Sequence, residues 1–156
     1  MHNRCVYLRS MHSNDEPTPA TDQPDVIYAY TAADAVRDGG AVEFNPATAL
    51  EAGFALPVIM TRAAYEDAIE WTRPEEWLQS MDARFWDVLT MVRLPGKAAL
   101  ESGRAYQFRV ARIANKTKSG SLSKSTTAHV TTLIVRAEGF DHSGAPCLMI
   151  SRPGED

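Results

Sequence analysis

Seven cations and no acid fall between Ser102 and Ala137: Arg104, Arg109, Arg112, Lys116, Lys118, Lys124 and Arg136. Lysines and arginines at that density, with no carboxylate among them, suit contact with phosphate or with an acidic protein surface. The remainder of the chain has the opposite sign. It holds 16 − 7 = 9 bases against all 20 acids, a balance of −11 that brings the whole to −4. Such asymmetry bears on partners and not on fold.

Within the basic stretch, the loop from Asn115 to Thr126 has the Lys and Ser content of a phosphate loop. A nucleotide P-loop needs Gly directly before its Lys and a second Gly five positions further upstream, so that backbone N–H groups wrap the phosphates. Ser123 and Lys118 occupy those places, so the pattern is not met. The loop reads as a solvated hairpin loop, or as a basic contact loop that meets nucleic acid or an acidic protein.

His129, Asp141, His142 and Cys147 have metal-ligand chemistry but no paired spacing such as C-x-x-C or H-x-x-x-H, so no metal site is expected. General acid–base work needs a carboxyl shifted toward neutrality by burial. Glu66, Asp67, Glu70, Glu75 and Glu76 fall instead on what reads as a solvated helix surface. Asp87, in an otherwise apolar stretch, is three residues from Arg84, the spacing of a helical ion pair. No Ser or Cys stands in a G-x-S-x-G elbow. A small hydrolase-like enzyme centred on Asp87 or His129 is the catalytic alternative; no catalytic residue and no cofactor is assigned. Of Trp71, Trp77 and Trp86, Trp77 follows Glu75-Glu76 after a proline break and is the candidate aromatic anchor for a partner, although core packing is the plainer account.

The elements that must position these residues centre on 81–94. At about 100° per residue, Met81, Phe85, Val88, Leu89 and Val92 share one helical stripe. Ser80 stands as its N-cap and Pro95-Gly96 stops it. Before it, residues 26–30 read as a strand, Thr31 to Asp34 as a capping box, and Ala41 to Phe44 as a second strand. Asn45-Pro46 opens a short helix, Leu56 to Met60 is an edge-like extended run, and Arg62 to Thr72 a helix with Tyr65, Ala68, Ile69 and Thr72 inward. On its outer side come Arg62, Glu66, Glu70 and Arg73. Tyr106, Phe108 and Val110 then alternate with polar neighbours as in a half-buried strand, His129 to Ala137 is an interior strand, and Pro146 to Ser151 a final one. The expected class is α+β: short N-terminal strands and helices, a central helix, and a C-terminal three-stranded antiparallel meander.

Residues 1–24, with prolines at 17, 19 and 24 and no periodicity, read as a disordered or extended tail before a single domain over 25–156; Met11 offers an alternative start. No apolar run approaches the roughly 20 residues that span a bilayer, and no signal-peptide core is present. Cys5 and Cys147 read as free thiols of a reducing cytoplasm.

Four segments resemble a small bacterial domain of unknown function carried on phages and plasmids. They are Val26-Ile27-Tyr28-Ala29-Tyr30-Thr31 with Asp38-Gly39; Glu51-Ala52-Gly53-Phe54 with Pro57-Val58 and Thr61-Arg62-Ala63; Arg84-Phe85-Trp86-Asp87-Val88-Leu89; and Ser151-Arg152-Pro153-Gly154-Glu155-Asp156. Where that domain has a Lys-Ala-Val-Cys-like strand, this chain has Leu133-Ile134-Val135-Arg136-Ala137. The resemblance implies a mobile-element accessory protein and transfers no catalytic residue. The expected function is therefore non-catalytic binding of a host protein or nucleoprotein complex, with inhibition of a host defence complex as the expected form. A nucleic-acid-binding regulator using the basic strand and loop is the alternative. Partner contact is assigned to Arg104, Arg109, Arg112, Lys116, Lys118, Lys124 and Trp77, and a homodimer is expected if Met91 and Leu94 prove exposed.

Overall fold

The computed structural model describes residues 29–155. The expected tail, Cys5 and most of the strand expected at 26–30 lie outside these residues, and Ala29 and Tyr30 are not in a strand. The described elements are α1 (Ala32–Arg37), β1 (Ala41–Glu43), α2 (Pro46–Glu51), β2 (Val58–Thr61), α3 (Arg62–Ala68), α4 (Met81–Ser102), β3 (Tyr106–Ile113), β4 (Ala128–Gly139) and β5 (Pro146–Ser151). The class is α+β. The strands form one sheet in the order β1-β2-β5-β4-β3.

Local chemistry starts the short helices where the sequence indicates. Thr31 accepts from Asp34 N and its own N–H reaches the Asp34 carboxylate, a reciprocal cap. Asn45 caps α2 with Pro46 behind it, and Thr61 caps α3. Ser80 accepts from Ala83 N at the head of α4.

The C-terminal strands do pair antiparallel, β3 with β4 and β4 with β5, but they are not a separate meander. β5 takes β2 in parallel on its other side, with Val58 opposite Leu148 and Met60 opposite Ile150. Cys147 to Ser151 are buried throughout, so β5 needs cover on both faces and a strand on both edges. This also corrects the edge-like reading of residues 56–60. Pro57 precedes β2, where its missing N–H breaks no ladder, and its carbonyl accepts from Leu148 N at 2.9 Å.

One sheet face carries the main core: Val58, Met60, Phe108, Val110, Leu133, Val135, Leu148 and Ile150 meet Val88, Leu89, Val92 and Ala99 of α4. The other face is covered over its β1–β2–β5 side, where Ala32, Ala41, Ile59, Cys147 and Met149 pack together.

The expected stop of the central helix at Pro95-Gly96 is wrong. α4 runs through both residues to Ser102 and ends at Gly103, whose φ of 68° makes the left-handed cap. Pro95 sacrifices one helical hydrogen bond, and burial of Val92 and Ala99 on either side of it offsets that loss. Gly96 is there for proximity: a Cβ on it would lie 2.9 Å from Leu148 Cδ1 and 3.7 Å from Phe54 Cε1. Replacing Gly96 by Val is expected to lower unfolding free energy by about 2 kcal/mol, within the overpacking range, despite better helix propensity. Urea denaturation followed by circular dichroism measures it.

Candidate functional site

The helix expected over 62–72 ends at Ala68, because its last carbonyls have partners from elsewhere in the chain. Arg84 Nε donates to Ala68 O at 2.9 Å and its Nη2 to Asp67 O at 2.8 Å. Asn115 Nδ2 donates to Glu70 O at 2.6 Å, and Thr72 N donates back to Asn115 Oδ1 at 3.1 Å. These bonds turn residues 69–80 into a fixed connector.

Arg84 is 1% exposed. The expected ion pair with Asp87 does not form: Asp87 is exposed, on the solvent side of α4, while Arg84 points beneath α3. Helical spacing fixes which residues lie three apart, and the neighbouring element decides which is drawn inward. Burial, and then the nearby Arg112, push the Arg84 pKa down to about 10 against the opposing pull of Asp67, so the guanidinium stays charged at neutral pH. Its carbon centre lies 5.5 Å from the Trp71 ring, and that of Arg73 lies 5.2 Å from the same ring. Arg73 was expected on the outer face of the helix. It is 5% exposed and donates from Nη1 to Ser125 O at 2.7 Å and from Nε to Glu75 Oε2 at 3.2 Å.

The connector is thereby locked to both ends of the β3–β4 loop, through Thr72 and Arg73. Gln79 adds a third tie, its Oε1 accepting from Ile113 N at 3.0 Å. On this pinned connector Trp77 is 80% exposed. The core-packing account of Trp77 is therefore overturned, whereas Trp86 does pack against the main core.

The basic residues do not form one patch. Lys116, Lys118 and Lys124 are all exposed on the loop that shares its root with the Trp77 connector. Arg112 is committed elsewhere: its Nη2 lies 2.8 Å from Asp67 Oδ1, whose other oxygen accepts from Thr131 Oγ1 at 3.2 Å. Arg104 is exposed just before β3 and Arg109 part-way along it. At about 3.4 Å per residue, Arg104 is roughly 30 Å along the strand from the loop root, too far to share one contact with the lysines.

Between α3 and the loop root lies an open cleft of about 430 Å³, lined by Glu66, Asp67 and Glu70 together with Arg112, Lys116 and Arg152. The two signs that are segregated in the sequence are thus interleaved in space. A surface of this kind pairs with mixed charges on a protein more readily than with a polyanion.

The imagined metal ligands do not come together. Among the described residues no three His, Cys, Asp or Glu side chains are grouped to hold an ion. His129 is exposed near the start of β4, and Asp141 is taken by Ser143 N and Oγ in a turn, which holds its carboxyl below the usual range. Cys147 is a free, buried thiol on the covered sheet face. Burial, aided by Glu138 and Glu43, pushes its pKa up to about 11.

The chain matches no family model, no curated protein and no solved structure. Among the described residues no helix is long and apolar enough to cross a membrane.

Two outcomes test this anatomy. Arg84→Lys keeps a charge but cannot bond both carbonyls while stacking on Trp71, so it is expected to cost about 2 kcal/mol in chemical denaturation. In a Cys5→Ser background, Cys147 is expected to resist a disulfide reagent at pH 8, about three units below its pKa, and to react at once in denaturant.

Proposed function

We propose that this protein is a non-catalytic accessory protein of a mobile genetic element, acting by gripping a host protein, in the form of interference with a host defence complex. The observation that carries the binding mode is Trp77: an indole 80% exposed on a connector held by Arg73, Thr72 and Gln79. Exposed aromatic surface costs free energy in the isolated protein, and an indole with only two side-chain torsions on a held connector loses little entropy when a pocket closes over it. The mobile-element origin rests on the four sequence segments described above.

The lysine loop beside it supports a second reading, a nucleic-acid regulator in which Trp77 stacks on a base while Lys116, Lys118 and Lys124 meet phosphates. Glu75 and Glu76 adjoin Trp77 and Glu66 and Glu70 line the neighbouring cleft, and these acids favour the protein partner.

Immobilised protein is exposed to host lysate at about 0.15 M salt, where the Debye length is about 8 Å. A retained host protein is expected to survive nuclease treatment and to fall by about tenfold or more with Trp77→Ala. Loss on nuclease treatment, a steep decline with salt, and loss with Lys116, Lys118 and Lys124 all changed to Ala would establish the second reading instead. Retention that neither variant alters would overturn both.

A further inference from the structure

Two acids on one wall of the cleft beside α3 have lost the partners that helical spacing offers them. Arg62, four residues before Glu66, donates from Nε to Gly39 O at 3.1 Å instead. Arg73, three residues after Glu70, is drawn to Glu75 and to Ser125 O. Asp67, between the two acids, is already matched by Arg112 at 2.8 Å. Glu66 and Glu70 are thus like charges about a turn apart with no cation between them, which is unfavourable. On the facing side Lys116 lines the same cleft of about 430 Å³. Among the described residues no ion pair holds Glu66, Glu70 or Lys116. Opposite charges that share a cleft without touching are joined by a guest that carries both signs.

We propose that this cleft takes an arginine side chain of the protein partner, with an acidic residue two positions along the same partner segment turned to Lys116. The assignment rests on the protein-gripping function proposed above and names what the partner must present. A planar guanidinium has donors enough to fork between Glu66 and Glu70 at once, which the compact charge of a lysine does less well. In an extended segment, residues two apart point the same way at about 7 Å separation, so the base meets one wall and the acid the other. The anchor is within reach of the same partner. Thr72 lines the cleft and Trp77 follows five residues later, at most about 18 Å away even along a fully extended chain. A protein interface of ordinary size, about 800 Å² on each side, covers both. A nucleic acid brings phosphates and no cation to Glu66 and Glu70, so the two acids select the peptide.

Titration of the full chain with a capped pentapeptide, alanine throughout except for arginine second and glutamate fourth, tests it by amide NMR. At millimolar peptide, shifts are expected over residues 66–72 and 112–117. Glu66→Gln combined with Glu70→Gln is expected to weaken binding by about fivefold or more, and Lys116→Ala by about threefold. None of the three positions is buried, so these variants keep the fold. Citrulline in place of the peptide's arginine keeps the shape and removes the charge. That peptide is expected to bind wild type as weakly as the arginine peptide binds the double variant, and to be indifferent to the two glutamine substitutions. Glutamine in place of the peptide's glutamate is expected to abolish the effect of Lys116→Ala. No shift at any concentration, shifts confined to other parts of the chain, or equal binding of the arginine and citrulline peptides overturns the proposal. The titration reads the cleft and retention from lysate reads Trp77, so either can fail without the other.

Discussion

A buried guanidinium holds the upper end of this fold together. Arg84 has one hundredth of its surface exposed and gives two hydrogen bonds to the last carbonyls of α3. Burying a cation without a carboxylate in contact is expensive, and the cost is met here by charge-assisted bonds to backbone oxygens and by the face of Trp71. Those carbonyls sit at the negative end of a helix, where a positive charge is favoured. With α3 stopped there, the chain must turn, and the turn brings Arg73, Thr72 and Gln79 against the ends of the β3–β4 hairpin. The connector that carries Trp77 is thus joined to the root of the lysine loop beyond an arginine that bonds only to α3.

The sheet supplies a second constraint. β5 is buried on both faces and accepts partners on both edges, one parallel and one antiparallel. Its Leu148 presses so closely on α4 that only a residue without a Cβ fits opposite, at Gly96. The long helix is therefore held to the sheet at its middle by close contact and at its head by Arg84.

The four segments singled out in the sequence fall largely on these joints. Arg84 is the clamp. Thr61 caps α3 and also donates to Glu155 Oε2 at 2.8 Å, so the chain end is tied to the helix start. Gly53, at φ +98°, turns the chain out of α2 ahead of the buried Phe54. These residues explain the architecture, whereas Trp77 and the lysines, outside the quoted segments, supply the surface on which binding is proposed.

Local signals were legible in the sequence because they act within a few residues: the caps at Thr31, Asn45, Thr61 and Ser80, the alternation along β3, and the membership of Val88, Leu89 and Val92 in the core; β4 does lie between two strands, but its second face, with Val130 65% exposed, is not buried as its apolar residues suggested. The α+β class follows from them. What the sequence could not show was which long-range partner each element would meet. Whether Arg84 pairs with Asp87 or reaches the end of α3, whether Pro95-Gly96 stops a helix or lets it lie close to a sheet, and whether Pro57 marks an edge depend on neighbours distant in the chain. The same holds for the cations. Their run along the sequence suggested one positive face, but a strand extends residues about 3.4 Å apart and a hairpin places them beside whatever packs there, so α3 brought its acids among them.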